Sequence, residues 1–101
     1  MPAAFTVTYA EQPAIVALYE DDRLIEAAIV IDNVPRTYYL AFTIKRLRVP
    51  IYLCTRREPQ VPRRFYQLDI ALRWLQVHVP DVRIQLLLPS TSGLGSVRRR
   101  R

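Results

Sequence analysis

The stretch Thr55–Phe65, TRREPQVPRRF, sets two arginine pairs, Arg56-Arg57 and Arg63-Arg64, around a proline-bearing turn. A guanidinium is a planar fork of donors that suits phosphate and carboxylate, so two converging pairs would clamp an anion. In a hairpin, Arg56 or Arg57 would face Arg63 or Arg64. Like charges opposed across strands destabilise by a few tenths to about 1 kcal/mol. Water, Glu58, Asp69 or a bound phosphate would offset that. The alternative is a solvated strand end whose arginines discourage sheets from pairing edge to edge. Two further basic groups stand apart from this one: Lys45, Arg46 and Arg48 after an apolar run, and Arg98, Arg99, Arg100 and Arg101 at the end of the chain. A run of four arginines has no packing role and makes counterion-releasing contacts that carry little sequence information. These eleven residues are the candidate contacts to an anionic partner, nucleic acid or protein.

Other chemistry finds few residues to carry it. Cys54 and His78 are the lone cysteine and histidine. A tetrahedral metal set needs more ligands than that pair supplies, so no metal site is expected. His78 is the sole imidazole that could activate Cys54. Cys54 reads as a small sheet or core residue, and His78 as a late-helix side chain near the negative end of the helix dipole. The glycines, Gly93 and Gly95, lie in SGLGS, which lacks the lysine and the preceding strand of a phosphate loop. Glu20, Asp21 and Asp22 cluster as a turn. The expectation is a protein with no catalytic residues and no cofactor. Trp74 and the tyrosines could stack bases. Trp74 falls on a helix and reads as core. Tyr38, Tyr39 and Tyr52 fall on strands, either in cross-strand packing or on a bare face beside Lys45, Arg46 and Arg48.

Composition sets the frame for these side chains. The chain has 101 residues, half of them hydrophobic, and a net charge of +6. That length suits one domain with a modest core. Four of the fifteen basic residues form the terminal run, leaving eleven against nine acidic ones, so the body is close to neutral. A high pI that resides in a tail is a weak sign of a nucleic-acid-binding fold. One free cysteine suits a reducing cytoplasm. No signal peptide is evident, and no apolar run approaches the roughly 18 residues that span a bilayer, so no membrane association is expected.

The elements that must position these residues follow from periodicity and punctuation. FTVTY (5–9) alternates as a strand that Pro13 closes. Ile15-Val16 and Ile29-Val30-Ile31 suggest two strands, about 14–20 and 24–31, joined by the turn at Asp21-Asp22. One helix over the same run is the competing reading, because Ala, Leu and Glu favour helix. DNVPRT is a turn. Tyr38, Leu40, Phe42 and Ile44 alternate along the next strand, and Ile51 and Leu53 along a strand over about 50–57. Residues 69–79 form the clearest element, an amphipathic helix with Asp69 as N-cap and Pro80 after its end. Val82, Ile84, Leu86 and Leu88 make a final strand. The predicted fold is α+β: a mostly antiparallel sheet of about five to six strands with one main helix packed on it. Residues 1–89 would form the domain and 90–101 a flexible basic tail. Short apolar strands leave edges that a homodimer would cover.

One segment also has a family likeness. VPRRFYQLDIALRWLQ (Val61–Gln76) resembles the RRF-x-x-LD-x-x-x-x-x-L pattern of small plasmid ParC-type partition-associated proteins. Ile51, Tyr52, Leu53, Thr55 and Arg57 are similar to the strand that precedes it there. The resemblance covers residues from about 50 to 88. It implies a small, non-enzymatic accessory protein of a bacterial plasmid or mobile element, acting in partition or maintenance through a protein partner. It supplies no catalytic residue. The alternative is a DNA- or RNA-binding protein of low sequence specificity that uses the arginine clusters and the tail.

Overall fold

A computed structural model describes residues 8–33 and 36–87. The architecture is α+β, as expected. Among the described residues, one five-stranded sheet and two helices follow in the order β1 (Thr8–Ala10), α1 (Gln12–Glu20), β2 (Leu24–Asn33), β3 (Arg36–Ile44), β4 (Ile51–Leu53), α2 (Leu68–His78) and β5 (Arg83–Leu87). The sheet order is β1-β4-β3-β2-β5. β2, β3 and β4 form an antiparallel meander, and the two outer strands join it in parallel, β1 on β4 and β5 on β2. The sheet is therefore mixed, which corrects the mostly antiparallel expectation. Each parallel strand needs a crossover, and a helix supplies it.

The segment expected as a strand over about 14–20 is helix α1. Pro13 opens this helix at its second position, where a fixed φ is already suitable and no N–H is missed. Ile15, Leu18 and Tyr19 then stand at i, i+3 and i+4, with Ile15 fully buried and the other two packed against the core. Burial of that face outweighs the β preference of Ile15-Val16. The acidic turn closes the helix instead of linking two strands. Arg23 N–H bonds to Leu18 C=O and Asp22 N–H to Tyr19 C=O, the paired bonds of a Schellman motif. Its left-handed position, φ 60°, is held by Asp22 where glycine is usual.

Helix α2 lies where the sequence placed it, but its N-cap is Gln67, whose side chain makes no capping bond. Asp69 sits inside the first turn, where its charge favours the helix dipole. The exposed stripe is wider than expected. Ile70 and Val77 are exposed, while Ala71, Trp74 and Leu75 are buried. Strand β4 is shorter than the expected 50–57, ending at Leu53.

Both crossovers run in the same direction over the sheet, β1 to β2 and β4 to β5. Right-handed connection then places both helices on one face. The core agrees: Ile15 of α1 and Ala71, Trp74 and Leu75 of α2 join one cluster with Ala27, Ile29, Leu40, Phe42, Ile44, Ile51 and Leu53. Those strand residues alternate onto a single face. Among the described residues, no helix covers the other face of the sheet.

Candidate partner-binding face

The bare face is built by the residues that alternate with the core. In register across the strands these are Tyr9 beside Tyr52, Tyr52 beside Ala41, and Thr37, Tyr39 and Thr43 of β3 beside Asp32, Val30 and Glu26 of β2. Arg83, Gln85 and Leu87 extend it onto β5, opposite Glu26, Ala28 and Val30. The Tyr9 and Tyr52 rings lie 6.3 Å apart and tilted by 50°. The structure thus separates the three tyrosines that the sequence left ambiguous. Tyr38 is buried in the core, and Tyr39 and Tyr52 are half-buried on the bare face.

The arginine-rich stretch completes one corner of this face. After Leu53 the end of β4 parts from β3, and residues 62–65 fill the gap as a wedge. Cys54 pairs with Pro62, and Tyr38 with Phe65. Arg63 N–H bonds to Leu53 C=O at 2.8 Å, and Tyr38 and Phe65 exchange two bonds of 2.8 Å. Phe65 therefore joins the core. Alternation sends Arg63 to the helix-bearing side, its guanidinium 4.8 Å from the centre of the Phe65 ring. Arg64 goes to the bare face, where hydrogen bonding to the Tyr39 hydroxyl, followed by Tyr66, raises its pKa above the ordinary arginine value. Thr37 Oγ1 donates to the Tyr39 hydroxyl at 3.3 Å, and that hydroxyl donates to Asp32 Oδ2 at 3.5 Å. Asp32, Thr37, Tyr39, Arg64 and Tyr66 form one polar corner, with Thr37 buried and Tyr66 largely exposed at 68 %.

The arginine pairs do not oppose each other. Arg63 lies opposite Leu53 through its backbone bond, and Arg56 and Arg57 project from an exposed bend in which Glu58 N–H donates to Thr55 Oγ1 at 3.1 Å. Arg56 and Arg63 do meet at a cleft of about 300 Å³ with Glu11, Gln12, Pro13, Cys54 and Thr55, at the start of α1. Lys45, Arg46 and Arg48 lie at the opposite end of β4, in the β3–β4 turn. Lys45 there faces Asp22 at 3.4 Å, with both side chains exposed, an ion pair worth little to stability. Arg46 holds a left-handed turn position at φ 70°. Arg98, Arg99, Arg100 and Arg101 lie outside the described residues.

Cys54 is 4 % exposed, and burial pushes its thiol pKa up, with the charge of Glu11 adding to the effect. His78 stacks on Trp74 with ring centres 4.5 Å apart, at the far end of α2 from the carboxyl end of β4. The two side chains therefore form no nucleophile–base pair. Among the described residues, no three His, Cys, Asp or Glu side chains gather into a metal site. None of the described helices is long and apolar enough to cross a membrane.

Sequence reasoning did not assemble the Asp32–Thr37–Tyr39–Arg64–Tyr66 corner. The period-two alternation of β3 already separates 37, 39 and 43 from 38, 40, 42 and 44. What it lacks is the wedge that carries Arg64 beside Tyr39. No family model, curated protein or solved structure matches the chain.

Proposed function

We propose that this chain is a small non-enzymatic interaction protein that receives its partner on the bare face of its sheet and serves the maintenance of a bacterial plasmid or mobile element. The observation that carries the proposal is the placement of both helices on one side. It leaves Tyr9, Tyr39 and Tyr52 half-buried on the uncovered face of the sheet, with Arg64 at the corner. A protonated, buried Cys54 supports a binding role over nucleophilic catalysis. The link to plasmid maintenance rests on the ParC-type likeness of Val61–Gln76, a segment that includes Arg64, Tyr66 and most of α2. The leading partner is an acidic protein segment, for which tyrosines supply contact area and arginine supplies charge-assisted hydrogen bonds.

A second reading, single-stranded nucleic acid, is favoured by one feature: aromatic rings beside an exposed guanidinium form the stacking-plus-charge surface that tracks single strands. The test places a photo-crosslinking residue at Tyr52 or at Val77, on opposite layers of the molecule, and adds labelled single-stranded DNA and RNA across a salt series. The expected result is an adduct with a discrete partner protein at Tyr52, absent at Val77 and lost with Arg64→Ala. Oligonucleotide binding that falls steeply with salt and drops about tenfold with Tyr52→Ala would make nucleic acid the partner. Failure of both arms removes the bare face as a binding site.

A further inference from the structure

Strand β5 is an edge that nothing among the described residues covers, and every one of its residues is exposed. Ile84 and Leu86 point to the helix-bearing side, yet they are 38 % and 56 % exposed, because α2 packs over β3 and stops short of the outer strand. An apolar strip therefore runs along an open row of backbone donors and acceptors. Sheet edges are commonly blunted by proline, by lysine, by a bulge or by brevity. β5 has no proline, no lysine and an unbroken five-residue register with β2. Its one charge, Arg83, stands at the first position.

We infer that the occupant of this edge is a second copy of the chain, paired antiparallel through β5 about a two-fold axis at Gln85. The sequence of the strand is self-complementary in that register. Ile84 comes opposite the partner's Leu86, and Leu86 opposite the partner's Ile84, so the two apolar strips merge into one contiguous strip on the helix-bearing side. Arg83 comes opposite the partner's Leu87 and keeps Glu26 as its neighbour within the subunit, so no like charges are opposed. Gln85 meets the partner's Gln85 on the axis, where an amide can both donate and accept. The interface is isologous and closes on itself, as a two-fold contact requires. It touches the bare face only at its β5 margin, through Arg83, Gln85 and Leu87, and it leaves both bare faces on the same side of one continuous sheet.

Sedimentation equilibrium on the full chain tests this. The expected mass is twice 11.8 kDa, returning to a monomer on dilution. Leu86→Lys is expected to weaken the dimer at least tenfold. Gln85→Lys and Gln85→Glu, each at an exposed position that should leave the fold intact by circular dichroism, are each expected to weaken it several-fold. An equimolar mixture of those two variants is expected to restore it, because opposite charges then meet on the axis. A monomer up to about 100 μM, or a dimer indifferent to all three substitutions, would overturn the inference.

Discussion

At the scale of single residues, neighbours of the same type acquire different roles. Arg63 and Arg64 are adjacent, yet alternation puts one over the Phe65 ring on the helix side and the other beside Tyr39 on the bare face. Arg56 and Arg57 remain on a solvated bend, so the solvated reading of the stretch describes that pair. The two pairs do not oppose each other as pairs; one member of each, Arg56 and Arg63, meets the other at the cleft beside Glu11. Cys54 shows how burial governs reactivity. Its thiol has a raised pKa, so below the ordinary thiol range it stays neutral in both folded and unfolded chains and adds no pH dependence. As pH rises through that range the unfolded chain ionises first, and stability falls until the folded thiol also ionises. Iodoacetamide labelling of the native protein at neutral pH is therefore expected to be at least tenfold slower than of the urea-unfolded chain. Equal rates would show that Cys54 is open to solvent.

At the scale of elements, α2 was legible and α1 was not. In α2 the apolar residues recur at helical spacing and Pro80 marks the end, so a boundary error of one residue did not alter the element. In α1 the Ile15-Val16 pair suggests a strand, and only contact of Ile15, Leu18 and Tyr19 with the sheet makes the helical face decisive. The position of Pro13 was the available signal, since a proline that ends a strand serves equally as the second residue of a helix. Trp74 anchors α2 on Phe42, with ring centres 6.0 Å apart, and its Nε1–H is buried without a hydrogen-bond partner among the described residues. An unpaired buried donor reduces the net value of the indole. Trp74→Phe is expected to cost about 1 kcal/mol or less, whereas Trp74→Ala should cost about 3–5 kcal/mol. Urea melts of the two variants check this, and an equally large loss in Trp74→Phe would show that the N–H is paired.

At the scale of the whole molecule, charge and topology divide the surface. The basic groups do not merge: Lys45, Arg46 and Arg48 sit at one end of β4 and residues 56–64 at the other. The near-neutral body therefore presents aromatic and hydroxyl groups with one well-placed arginine, while four of the chain's basic residues belong to the terminal run Arg98–Arg101. On the nucleic-acid reading these contributions are separable. Deleting residues 97–101 is expected to reduce the slope of log K against log salt by up to about 3 for single strands, while the effect of Tyr52→Ala persists in the truncated chain. An unchanged slope would show that the tail makes no phosphate contacts.

The sequence by itself determined the α+β class, the faces of β3 and β5 and the extent of α2, because these depend on local periodicity and on residues that stop an element. Tertiary structure alone decided that the sheet is mixed, that Ile15-Val16 belong to a helix, and that both helices share one side. Those outcomes arise from contacts between residues far apart in the chain: β1 with β4, β5 with β2, and the 62–65 wedge with Tyr38. A short apolar run carries no mark of the strand it will lie beside, and the direction of a crossover is set only when its two strands have found their places in the sheet. The bare face follows from that placement, and so does the meeting of Arg64 with Tyr39.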